Sequence, residues 1–280
     1  MSQKLQIHNS MTRAELIKEI RTKKTFLCVG LDPDIDKIPK HLLDEDDPIY
    51  EFCREIVDAT ADYCVSFKPN TAFFEAYGIS GLTSMEKTIK YIKQEYPSHF
   101  LIADAKRGDI GNTSTMYAKA FFKRLHADAI TVAPYMGKDS VKPFLDFENK
   151  WTIVLALTSN EGSNDFQMLQ TNGNELYKEV IKTTASWGTE DNLMFVVGAT
   201  KADMLDEVRA IVPNHFLLVP GVGAQGGSLA EVCKYGLTKD IGLLINSSRA
   251  IIYASNGKDF ATVAGREAHK IAYEMSGYIK

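Results

Sequence analysis

Asp104-Ala-Lys106-Arg-Gly-Asp109 sets two carboxylates around one ammonium group. Asp104 and Lys106 follow the apolar run Phe100 to Ala103, and on an extended chain they point to one face. Asp109 comes after Gly108 has let the chain turn. A fourth charge, Lys68, ends another apolar run, Tyr63 to Phe67, with Pro69-Asn70 behind it. Carboxylates beside lysines keep the lysines charged and fixed. A fixed ammonium stabilises negative charge developing on a neighbouring atom and can then donate a proton to it. The bland alternative is a solvated loop with a salt bridge, which stabilises little.

Such charges work only if a scaffold brings them together, and the chain repeats one unit that would. Eight apolar runs read as strands: Thr25–Leu31, Tyr63–Phe67, Phe100–Ala103, Ala129–Ala133, Trp151–Leu157, Leu193–Val197, His215–Val219 and Ile241–Ile245. They do not alternate apolar and polar residues, as expected of parallel strands buried on both faces. Helical spacing fills the gaps between them. Pro48 suits a first helical position, with Phe52, Ile56 and Val57 on one face. A longer helical region runs through Phe73, Met85 and Ile92, and Asn112, Thr113 or Ser114 is placed to cap a helix through Met116, Ala120 and Leu125. Further helices are expected through Leu176 and Ile181, from Ala202 to Val212, and from Phe260 to Tyr278. Residues 160–174 are polar and read as a loop with a short helix.

Eight strand–helix units in 280 residues predict an α/β fold: one (β/α)8 TIM barrel spanning residues 1–280 as a single domain. A helix over about residues 11–23, through Leu16, Ile17 and Ile20, would close its bottom. The competing architecture, an open doubly wound sheet, usually has fewer strands and a Gly-rich first turn, where this chain has Asp32-Pro33.

In a barrel the residues just past each strand face the C-terminal mouth. Those positions hold Asp32, Lys68, Asp104 with Lys106, Pro134, Ser159, Thr200, the loop Pro220-Gly-Val-Gly-Ala-Gln-Gly-Gly227, and Arg249. That regularity favours a site over scattered loops. The Gly-rich loop offers unhindered backbone N–H groups, and its glycines also suit a lid. Arg249, after Ser247 and Ser248, supplies a fork matched to phosphate oxygens. Phosphate sites in barrels commonly lie after strands seven and eight.

Composition narrows the partners. The net charge is −4 and no basic block stands out, so nucleic acid is not an expected partner. No apolar run approaches membrane-spanning length, and no signal-like apolar core follows the N-terminal charges. Cys28, Cys53, Cys64 and Cys233 show no CxxC or zinc spacing and read as reduced packing residues of a cytoplasmic protein. The six histidines form no H-x-x-x-H pair, so no dedicated transition-metal site is expected.

Asp104-x-Lys106-x-x-Asp109, continued by Ile-Gly-Asn-Thr113, resembles the D-x-K-x-x-D signature of the orotidine 5′-phosphate decarboxylase family. Val29-Gly-Leu-Asp32-Pro33, Phe67-Lys68-Pro69-Asn70 and the loop from Pro220 to Gly227 are similar to that family's other motifs, in the same order, from about Phe26 to Tyr253. Related metal-dependent sugar-phosphate decarboxylases and aldolases share D-x-K-x-x-D, but Lys68 and P-G-V-G-A-Q-G-G point to the orotidylate branch. The resemblance implies cofactor-free decarboxylation of orotidine 5′-phosphate to uridine 5′-phosphate, the last step of de novo pyrimidine synthesis, with no metal. It implies that Lys68, Asp104, Lys106 and Asp109 form an alternating charge network, with Lys106 protonating C6. Asp32, Lys68 and Thr113 would hold ribose hydroxyls, Ser159 the pyrimidine amide edge, and Gln225 and Arg249 the phosphate, with Pro220 and Ser248 also at the substrate. Ser248 stands where related sequences often have glycine. Asp109 and Thr113 would reach the partner's site in a homodimer. Two other readings remain at this level: a metal-dependent sugar-phosphate enzyme of the same barrel type, and a non-catalytic barrel that binds a phosphate ligand.

Overall fold

The apolar runs pair as parallel strands and close on themselves. In a computed structural model describing residues 10–222 and 226–279, the strands are β1 Leu27–Leu31, β2 Ser66–Pro69, β3 Phe100–Arg107, β4 Ala129–Val132, β5 Trp151–Leu157, β6 Leu193–Val197, β7 Leu217–Pro220 and β8 Leu243–Ser247. Every neighbouring pair is parallel, and β1 joins both β2 and β8 to complete an eight-stranded barrel.

Partners in a parallel ladder share a face. Gly30 pairs with Lys68 and Cys28 with Ser66 on one side of β1, while Cys28 pairs with Asn246 on the other. These residues therefore line the same interior. Lower in the barrel Phe100, Trp151 and Phe216 fill the space, with ring centroids 5.8 and 6.4 Å apart. This aromatic floor makes the barrel a packed core, so the polar residues above it sit on a fixed base.

Helix α1, Arg13–Lys23, starts at a capping box formed by Thr12 and Glu15. Its Lys23 donates to the carbonyls of Ala61 and Cys64, at 2.8 and 3.1 Å, where the chain enters β2. Arg13 reaches Asp240 at 3.2 Å, before β8. The Trp151 indole, at the start of β5, donates to the Met11 carbonyl at 2.9 Å. The helix thus lies across the N-terminal ends of the strands, opposite the mouth. Helix α2, Pro48–Thr60, has Pro48 at its first position behind an Asp47 cap.

Several boundaries differ from the sequence expectations. The long helical region splits into a turn at Ala72–Glu75 and helix α3, Gly78–Glu95. The expected cap at Asn112, Thr113 or Ser114 does not form. Helix α4, Gly111–Ala118, begins after Ile110 without a side-chain cap, and the Ser114 hydroxyl instead bonds the Asp109 carbonyl at 2.5 Å. The expected start of strand eight, Ile241, turns at φ 67 with Gly242 at φ 66, so pairing begins only at Leu243. Residues 160–174 hold a 3-10 helix, Glu161–Asp165, and the start of a small hairpin pairing Gln170–Thr171 with Asn174–Glu175.

Candidate active site

Asp104 is the centre of the site. It lies on β3 and is 8% exposed, and each of its oxygens meets an ammonium. Lys68 Nζ, from β2, is 2.5 Å from Oδ2, and Lys106 Nζ is 2.6 Å from Oδ1. The neighbouring strand β4 adds Thr131, whose hydroxyl donates to Asp104 Oδ1 at 3.0 Å and accepts from the Lys106 N–H at 2.9 Å. Burial would raise the Asp104 carboxyl, but the pull of Lys68 and then Lys106 outweighs it and holds the group well below the usual carboxylate range. Lys68 is 4% exposed. Burial would lower its ammonium, yet Asp104 and then Asp32 overcome this and raise it.

The two lysines differ in access. Lys106 has a side chain 50% exposed, so it faces the mouth while Lys68 stays beneath. The route to that geometry is not the simple extended strand expected from the two-residue spacing. Between Ala103 and Arg107 the β3–β4 register shifts, and Lys106 adopts φ 46. For a non-glycine residue this left-handed conformation costs about 1–2 kcal/mol, and such strain clusters at working sites. It turns the Lys106 N–H away from the ladder onto Thr131. Arg107 secures the next position: its guanidinium lies over the Tyr117 and Phe121 rings, at 5.3 and 5.6 Å, and pairs with Glu75.

Asp32 stands just past β1. Its Oδ2 accepts from the Ser248 hydroxyl at 2.7 Å, while Oδ1 is buried with no partner among the described residues. Ser159 follows β5 and packs on Gly198, where a Cβ would lie 2.7 Å from the Ser159 Cβ and 2.8 Å from its nitrogen. Pro220 is the last residue of β7 and pairs with Asn246. Arg249 is exposed at the start of the turn Arg249–Ile252, and among the described residues no carboxylate lies within 4 Å of it. The base of the Gly-rich loop is closed by a bridge between Val222 and Gly227. Gln225 lies outside the described residues.

Asp109 and Thr113 do not join this cluster within the chain. The Asp109 carboxylate accepts from the Ile110 N–H at 2.7 Å, and among the described residues no ammonium or guanidinium lies within 4 Å of it. Thr113 is exposed. Thr131 is the site residue that sequence reasoning passed over. Its signal was present: a hydroxyl at an interior position of an otherwise apolar strand.

Residues 25–262 match the model of the Orotidine 5′-phosphate decarboxylase / HUMPS family. The chain belongs to that family. It is accordingly a carboxy-lyase by class. It is 65% identical over 269 residues to the orotidine 5′-phosphate decarboxylase of Flavobacterium johnsoniae, covering 96% of this chain and 98% of the other. The corresponding protein of Phocaeicola vulgatus is 59% identical over 266 residues, covering 95% and 98%. The solved OMP decarboxylase of Leishmania donovani superposes with a TM-score of 0.81 at 36% identity, covering 95% of this chain and 99% of that one. Among the described residues no three His, Cys, Asp or Glu side chains gather as a metal site, and no helix is long and apolar enough to cross a membrane.

Proposed function

We propose that this chain converts orotidine 5′-phosphate to uridine 5′-phosphate without metal or cofactor, with Lys106 as the proton donor. The observation that carries the reading is the Lys68–Asp104–Lys106 arrangement, one buried carboxylate between two ammonium groups at 2.5 and 2.6 Å. In this reading the C6–carboxylate bond breaks and CO2 leaves. The electron pair stays on C6, and the Lys106 ammonium stabilises it and then protonates it. Half-exposed Lys106 regains its proton from solvent. Asp104 facing the substrate carboxylate adds repulsion of about 4 kcal/mol at ~4 Å and an effective dielectric near 20, which loss of CO2 relieves. Stabilisation by Lys106 ranks above this relief, because only interactions stronger in the transition state speed the step.

The remaining residues follow as binding groups. Asp32, Lys68 and Thr113 take ribose hydroxyls, Ser159 the pyrimidine amide edge, Gln225 and Arg249 the phosphate, with Pro220 and Ser248 lining the mouth. Asp109 and Thr113 act on the partner's site in a homodimer. The distance of Asp109 from every cation of its own chain among the described residues supports this. Nucleic acid and membrane are not partners in this reading, and the protein works in the cytoplasm. A metal-dependent sugar-phosphate reaction is disfavoured because the Lys68 ammonium already occupies the Asp104 oxygen that a cation would need. The test is turnover of orotidine 5′-phosphate, followed by loss of the orotate-ring absorbance, with excess chelator present. Undiminished turnover supports the proposal; activity that stops and returns with a divalent cation overturns its metal-free part.

A further inference from the structure

The end of β8 carries a hydroxyl with a specific task. Ser248 Oγ lies 2.7 Å from Asp32 Oδ2 and 3.3 Å from the Gly30 carbonyl. A hydroxyl has one proton, and the nearer, charged acceptor takes it. The Tyr253 phenol donates to the Asp32 carbonyl at 2.7 Å and accepts from the Asp34 N–H at 2.7 Å. Tyr253 therefore fixes the main chain at the tip of β1, and Ser248 fixes the carboxylate. Room for Ser248 comes from Gly30, where a Cβ would lie 2.8 Å from the Ser248 Cβ and 3.1 Å from its hydroxyl. The second Asp32 oxygen, Oδ1, is buried and has no partner among the described residues. A buried acceptor in that condition costs free energy until a donor reaches it.

We propose that Ser248 is a positioning residue, whose hydroxyl fixes the Asp32 carboxylate in the orientation that meets the ribose hydroxyls. The proposal rests on the reading of Asp32 as a ribose-binding group. The final torsion of an aspartate is broad and roughly two-fold. One charge-assisted hydrogen bond on one oxygen selects an orientation before ligand arrives, so binding loses less freedom. Ser248 also precedes Arg249 in the chain. The segment just past β8 that carries the proposed phosphate contact thus also orients the ribose contact just past β1.

A double-mutant cycle on ligand binding tests this. Wild type, Ser248→Ala, Asp32→Ala and the double variant are titrated calorimetrically with uridine 5′-phosphate and with its 2′,3′-dideoxy analogue. Ser248→Ala is expected to weaken uridine 5′-phosphate roughly tenfold, the scale of one hydrogen bond to a charged group, and to leave the dideoxy analogue within about twofold. In the Asp32→Ala background the same substitution is expected to add nothing, because its target is gone. Ser248→Gly, which removes the hydroxyl and leaves more room, repeats the measurement should the alanine variant fold poorly. Equal losses on both nucleotides, additive losses in the double variant, or no loss at all would overturn the positioning role alone. An Asp32→Ala enzyme that separates the two nucleotides as well as wild type would overturn the ribose reading of Asp32, and this proposal with it.

Discussion

Asp104→Asn keeps the shape of the central side chain and removes its charge from between two ammonium groups. The two ion pairs do not count equally. Lys106 is half-exposed, so its pair is screened and worth about 0–1 kcal/mol. Lys68 has a side chain 6% exposed, and breaking a buried pair leaves an uncompensated charge at about 3–5 kcal/mol. Asp32 still attracts Lys68, which places the expected loss near the lower end, about 3 kcal/mol. In a chain of this size that corresponds to a fall in Tm of roughly 6–12 °C. The sign of the pH dependence follows from the two shifts. The Asp104 carboxyl is lowered by folding, so its contribution is present above the unfolded value of about 3.9 and is lost as pH falls through the lower folded value. The Lys68 ammonium is raised, so its contribution is full below about 10.4 and is lost as pH rises through the higher folded value. The gap between wild type and variant is therefore widest from about pH 5 to 9 and closes on both sides. Urea unfolding at one protein concentration measures it, since assembly adds its own stability. A gap below about 1 kcal/mol at pH 7, or one constant across the range, would refute the view that a buried pair organises the site.

Other outcomes follow from single contacts. Arg249→Ala should weaken orotidine 5′-phosphate binding and lower turnover, and should harm a substrate lacking phosphate far less; equal losses on steady-state parameters of both would free Arg249 from the phosphate. Mixing Lys106→Ala with Asp109→Ala and exchanging subunits should restore about one quarter of wild-type activity, because half the dimers are mixed and each has one intact site of two. With exchange verified by mass spectrometry, activity no higher than the separate mutants would mean that Asp109 serves its own chain. Gly198→Ala puts a Cβ against Ser159 backbone and should cost about 1–3 kcal/mol in stability, read from the shift in urea midpoint.

Much of the fold was legible because burial on both faces leaves a strong mark: β5 and β6 were readable to the residue from their apolar runs. The barrel ends were less so. Ile241 looks like a strand residue by side chain, but its φ of 67 is dictated by the tight turn joining Thr238 to it, a backbone matter that side-chain hydropathy does not record. The charged residues were legible as strand-tip positions. What brings Lys106 onto Asp104 was not, because a register shift depends on the neighbouring strand: Thr131 on β4 captures the Lys106 N–H. Ser248 was expected at the substrate and noted as a replacement for glycine, but its contact with Asp32 was not legible. Its bond to Asp32 crosses from β8 to β1, and only barrel closure makes those two ends neighbours.

Lys106→Ala tests the central claim most directly, with turnover of orotidine 5′-phosphate and calorimetric binding of uridine 5′-phosphate measured on the same preparation. Loss of the proton donor and of its charge should cut turnover by at least about a thousandfold. Product binding should stay within roughly tenfold of wild type, since the ribose and phosphate contacts remain. Near-normal turnover with binding intact would remove Lys106 from the chemistry and contradict the account.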